Sequence, residues 1–127
     1  MSFHFDPSAP SIVVPVTLVG PERTLEASLV LDTGAVQTLI AEALLAAVGC
    51  DVAGMPHTKS IITASEIVSV PEIRVEKIVA LGRTRENHAV ICHTLPETAG
   101  IDGLLRLGFF RNEKLQIDLV DGIVMLG

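Results

Sequence analysis

The chain contains no tryptophan and no tyrosine, and only four phenylalanines in 127 residues. Aliphatic side chains must therefore fill its interior, and the hydrophobic content of 49% supplies them. Val and Ile, prominent among them, favour strands. Positive charge is scarce as well: nine Lys and Arg against 15 Asp and Glu give a net charge of −6. The basic residues form no run or stripe, which argues against a nucleic-acid surface. No apolar segment reaches the length of a membrane span. Met1 to Asp6 lacks the basic start and apolar run of a signal peptide, so a cytoplasmic location is expected, or a periplasmic one if a leader has been removed. The two cysteines, Cys50 and Cys92, read as unpaired thiols. His4, His57, His88 and His93 show no zinc-ligand spacing, and the neighbours Cys92 and His93 face opposite sides of a strand. Gly-x-Ser-x-Gly and phosphate-cradling Gly-rich loops are also missing. No metal or cofactor is expected.

The length suits one domain, residues 1–127. Residues 1–10 read as an N-terminal edge strand (Phe3 to Asp6) followed by the spacer Pro7-Ser8-Ala9-Pro10. Ser11 to Val19 is a strand that Pro15 restricts to an edge or bulge. Gly20 to Arg23 turns it into a second strand, Thr24 to Leu31. Ala41 to Val48 is a helix with Gly49 as its stop. Strands are then expected at Lys59 to Thr63, Ile67 to Val70, Glu72 to Leu81 and Asn87 to Leu95, the last two joined by a turn at Gly82 to Arg85. Pro96 to Gly103 reads as a loop and Leu104 to Arg111 as a short helix or turn. Lys114 to Val120 and Ile123 to Leu126 are strands around a two-residue turn at Asp121-Gly122. The class is mainly β with one or two short helices. A faint duplication sets Val16 to Gly34 beside Ile78 to Gly103, matching Gly82 to Gly20 and Asp102-Gly103 to Asp32-Thr33-Gly34.

The informative stretch is Leu29-Val30-Leu31-Asp32-Thr33-Gly34-Ala35. Three apolar residues bring one carboxylate to the tip of a buried strand, where it is costly unless donors surround it. Gly34, without a Cβ, can bring its backbone close and present its N–H. An Asp opening an ordinary turn is the plainer reading of the same residues.

Four segments together resemble the retropepsin-like aspartic proteases, single-lobed enzymes that act as homodimers. They are the apolar strand into Asp32-Thr33-Gly34-Ala35; Thr38-Leu39-Ile40 with the helix after it; Thr63-Ala64-Ser65 in a hairpin; and Gly100-Ile101-Asp102-Gly103-Leu104-Leu105 with Phe109-Phe110. The resemblance implies a retropepsin-like half-barrel and a flap at about residues 59–70. It implies catalysis by Asp32, with Thr33 bracing the dimer and Gly34 donating to the carboxylate. Ala35 stands where many two-lobed relatives have Ser, so one hydroxyl donor is missing. Ile61, Ile62, Thr63, Ala64 and Ser65 would close over a peptide or protein substrate. One chain carries a single Asp-Thr-Gly, so the second carboxylate must come from another copy across a twofold axis.

Two departures from the family pattern stand out. Arg106 replaces a glycine after the apolar pair Leu104-Leu105, and Gly108 replaces an Asp or Asn. The flap has Glu66 where many bacterial relatives have Gly, and no glycine between Ser60 and Ser69. These motivate a rival expectation: a catalytically silent dimeric β-domain for peptide binding or assembly.

Overall fold

Alternating burial builds the framework. In β2 (Val13–Val19) the side chains of Val14, Val16 and Leu18 point inward, and in β3 (Thr24–Leu31) Ala27 and Leu29 do the same. The two strands pair antiparallel from Val13↔Val30 to Val19↔Thr24. The computed structural model describes residues 1–95 and 100–127; residues 96–99, part of the expected loop, lie outside the described residues. Further along run β4 (Leu39–Ala41), α1 (Glu42–Ala47), β5 (Lys59–Ile62), β6 (Ile67–Val70), β7 (Glu72–Ala80), β8 (Arg83–His93) and β9 (Gly103–Leu105). A 3-10 helix (Leu107–Phe110), β10 (Leu115–Asp118) and β11 (Ile123–Leu126) complete the chain. The fold is mainly β, as the composition indicates.

Six strands close a barrel in the order β2-β3-β9-β4-β8-β7, while β1 (Ser2–His4), β11 and β10 form a separate sheet and β5–β6 a hairpin. Leu18, Leu29, Ile40, Val75, Ile78, Val90, Leu105 and Phe109 fill the core. Pro15 lies in the part of β2 before its ladder with β7 begins at Val16, so its missing N–H costs that ladder nothing. The single turn-and-a-half of α1 buries Leu45 and ends as expected at Gly49, whose φ is +99°. The Gly49 N–H donates to the Ala46 carbonyl and the Cys50 N–H to the Leu45 carbonyl, which caps two of the carbonyls in the last turn.

The barrel order reads the same from either end when β2 exchanges with β7, β3 with β8 and β9 with β4, so the internal duplication corresponds to a pseudo-twofold arrangement. Its register differs from the sequence expectation. Leu29 pairs in parallel with Gly103 as Ile91 does with Leu39, so Asp102 is the counterpart of Thr38, not of Asp32. Several boundaries also move. The β7–β8 turn is Leu81-Gly82, both at positive φ, because Arg83 already pairs with Ala80. The β10–β11 turn spans Leu119 to Gly122, because Asp118 pairs with Ile123 and its carboxylate accepts the N–H groups of Val120 and Asp121. Gly103 belongs to strand β9, not to a loop.

Candidate active site

β3 delivers Asp32 to the rim of the barrel, and the Asp32 N–H donates to the Leu105 carbonyl of β9 (2.9 Å). Its carboxylate is held on both sides. Oδ1 accepts the Gly34 N–H at 2.9 Å, and a Cβ on residue 34 would lie only 3.1 Å from that oxygen. Oδ2 accepts the Arg106 Nε–H at 2.9 Å. Both partners are largely shielded, with side-chain exposure of 32% for Asp32 and 16% for Arg106. That shielding makes the ion pair stronger than a surface one. Each carboxylate oxygen keeps a second lone pair for another proton or a water.

Arg106 reaches Asp32 because its backbone is pinned. Its N–H donates to Oγ1 of Thr38 (3.1 Å), the sole buried polar side chain among the described residues, and Nη1 lies 3.4 Å from the Gln37 carbonyl. Beyond it, the Leu107 N–H donates to the Ala35 carbonyl and the Gly108 N–H to the Val36 carbonyl. The two loops at the rim are thus laced together. Gln37 donates through Nε2 to Glu72, which also faces Lys59 at 3.6 Å at the base of the β5–β6 hairpin. The Gln37 amide is the main reason the Glu72 carboxyl sits below its usual range.

A cleft of about 530 Å3 opens beside the carboxylate, lined by Asp32, Gly34, Ala35, Val36, Gln37, Ser60, Ile61, Ile62, Ile91 and Arg106. The β5–β6 hairpin forms one wall. Its base is anchored where Val68, Val70 and Ile61 pack on Leu39 and Ile91. Its tip is a tight turn in which the Thr63 Oγ1 accepts the N–H groups of Ser65 and Glu66 and donates to the Glu66 carbonyl. The hydroxyl thereby holds a turn that has no glycine. Ile62 beside the tip is 85% exposed.

Of the residues singled out from sequence, Asp32, Gly34, Ala35, Ile61 and Ile62 meet in this cleft. Thr33 is exposed and stands outside the lining, and Thr63, Ala64 and Ser65 sit at the hairpin tip, also outside it. Val36, Gln37, Ser60, Ile91 and Arg106 also line the cleft, and no local sequence signal marks them as site residues. Arg106 was visible as a departure from pattern; its partner, 74 positions away, was not. Cys50 and Cys92 are free thiols, as expected. Among the described residues no group of three His, Cys, Asp or Glu side chains could hold a metal.

This rim carboxylate, glycine-turned and facing a hairpin-walled cleft, is an arrangement that suits an aspartic protease. The family model for aspartyl proteases matches residues 4–109, and the chain belongs to that family. Among solved structures, the crystal structure of a retropepsin-like aspartic protease from Rickettsia conorii superposes with a TM-score of 0.76 at 16% identity, covering 99% of this chain and 88% of that one. The fold is accordingly retropepsin-like. No curated protein sequence matches the chain.

Proposed function

We propose that this aspartic protease is an endopeptidase that works as a C2 homodimer, in which two Asp32 carboxylates, one from each subunit, activate a water between them. The observation that carries the reading is the place of Asp32: one carboxylate, fixed by the Gly34 N–H, at the mouth of a cleft walled by Ser60, Ile61 and Ile62 of the β5–β6 hairpin. One ionised Asp32 takes a proton from the water as the water attacks the scissile carbonyl. The other, protonated, donates to the carbonyl oxygen, and a proton then passes to the leaving amine. Neither step can run in a lone subunit, because each carboxylate needs the other to hold the shared proton. Thr33 braces the paired loops, and Ile61 and Ile62 close over an extended peptide and exclude water. Residues 1–127 act as one catalytic domain.

The test combines an unbiased peptide library with sedimentation. Wild type should cleave, sediment as a dimer and bind a statine-type transition-state mimic; Asp32→Asn should abolish cleavage and weaken the mimic. A second reading, the silent dimeric β-domain, is favoured by the Asp32–Arg106 ion pair, which compensates the carboxylate within one subunit. Wild type and Asp32→Asn behaving alike in both assays would leave that reading in place of the enzyme.

A further inference from the structure

We propose that Arg106 makes this site select peptides carrying an acidic side chain beside the scissile bond, an inference that rests on the dimeric mechanism above. Arg106 carries five N–H donors in a planar fork. Nε serves Asp32 and one Nη1 hydrogen points to the Gln37 carbonyl at 3.4 Å. The other three have no acceptor among the described residues, and the side chain lines the cleft beside Gln37 and Ser60. The rest of that lining is mostly apolar: Val36, Ile61, Ile62 and Ile91.

In a dimer competent for hydrolysis, two Asp32 carboxylates share one proton and carry one negative charge between them. Without further charges such a centre repels a substrate carboxylate. Here each carboxylate brings a guanidinium, so the two Arg106 side chains leave one positive charge at the centre. Glu72 does not cancel it, because it lies beyond Gln37 and is already paired with Lys59. A cation left without an ionised partner among apolar side chains is costly. A ligand carboxylate removes that cost, and the free edge of the guanidinium fits it in a two-bond geometry.

The experiment uses the full chain and pairs of statine-type peptides that differ only in Asp or Asn next to the statine, on either side, with affinities measured by calorimetry. Cleavage of the corresponding scissile peptides is followed in parallel. The Asp peptide should bind roughly 10- to 100-fold more tightly, the range for a hydrogen bond to a charged group. The preference should shrink as salt rises. It should vanish both in Arg106→Met, which keeps the aliphatic stem, and in Arg106→Gly, the residue the family pattern places there. Equal binding of the two peptides by wild type, or a preference that survives either substitution, overturns the inference. If wild type nonetheless cleaves, the dimeric mechanism stands without it. Failure to bind or cleave any peptide overturns both.

Discussion

Gly103 is the position where the smallest change should do the most damage. It sits in β9, between Leu29 of β3 and Ile40 of β4. A Cβ added there would lie 2.0 Å from the Leu39 carbonyl oxygen, 3.0 Å from Leu29 Cδ2 and 3.1 Å from Ile40 Cα. The first of these is far inside the roughly 3.5 Å of an ordinary contact. Two of the three neighbours are backbone atoms in ladders, so β9 itself must move. Moving it strains the parallel pairing with Leu29, Val30 and Leu31 and the Asp32 N–H bond to Leu105. Overpacking costs about 1–3 kcal/mol and each lost backbone bond about 1 kcal/mol more. Gly103→Ala should therefore lose about 3–5 kcal/mol, a large share of the roughly 5–15 kcal/mol that holds a domain of this size.

Guanidinium denaturation measures that loss directly, and a thermal scan should show Tm lower by about 10–20 °C. Gly54→Ala is the matched control. Its Cβ would find no atom nearer than 3.5 Å and its backbone has no positive φ, so its effect should stay within about 0.5 kcal/mol. Cleavage should fall with Gly103→Ala even at temperatures where it stays folded, because β9 carries the loop that begins with Arg106. A Gly103→Ala protein as stable as the Gly54→Ala control would refute the β4–β9 register and the packing argument with it.

Burial, followed by repulsion from Arg85 and Arg74, holds the His88 imidazole below its ordinary value of 6.5. The unfolded chain takes up that proton first, so stability present above pH 6.5 is lost as pH falls toward the folded value. Tm should drop between pH 7.5 and 5.5 and much less so in His88→Gln; equal slopes for the two would discard this account. Glu72, lowered chiefly by the Gln37 amide, and Glu113, lowered chiefly by Arg83, begin to lose their contributions only below their ordinary 4.5. Burial also pushes the Cys92 thiol up to about 11 and raises Cys50. Because the thiolate is the reactive form, iodoacetamide at pH 8 should label Cys50 slowly and Cys92 only on unfolding; rapid native labelling of Cys92 would mean that the β4–β8 pairing opens. Thr38→Val removes the acceptor of the Arg106 N–H without changing shape and should cost about 1–3 kcal/mol, whereas Thr38→Ser keeps it. A Val variant as stable as wild type in urea would show that this hydroxyl does not hold the loop.

The fold is legible in the sequence where structure is local and periodic. The alternation in β2 and β3, the Gly49 stop and the segments Ile67–Val70 and Ile123–Leu126 are each decided by their own residues. β4 and β9 are not legible there because three residues show no period, and each exists only through partners more than 50 residues away. The β7–β8 turn is not legible because Leu81, buried at 5% exposure, accepts a positive φ that residue type alone would assign elsewhere. Asp32 was legible as a polar residue ending an apolar strand before a glycine. Arg106 was legible only as an irregularity, since nothing local says where a long side chain turns.

Its direction becomes intelligible when three departures are taken together. Ala35 lacks the hydroxyl that would donate to the carboxylate, and Arg106 Nε supplies a donor to Oδ2 instead. For Arg106 to reach, its loop must lie close against the Asp32 turn, and Gly108 permits this: a Cβ there would sit 2.8 Å from the Val36 carbonyl oxygen. The Gly108 N–H instead bonds that carbonyl at 2.7 Å. Arg106 and Gly108 therefore form a matched set, and the cost of changing either should shrink once the other has been changed. Gly108→Asp should push the loop outward and break the Arg106 contact. Adding Arg106→Gly should then cost little more, because the contact is already gone. A double-mutant cycle on stability should show coupling of about 0.5–3 kcal/mol. Strict additivity of the two substitutions would mean that they are independent drifts, and that the ion pair at Asp32 is not what the loop geometry serves.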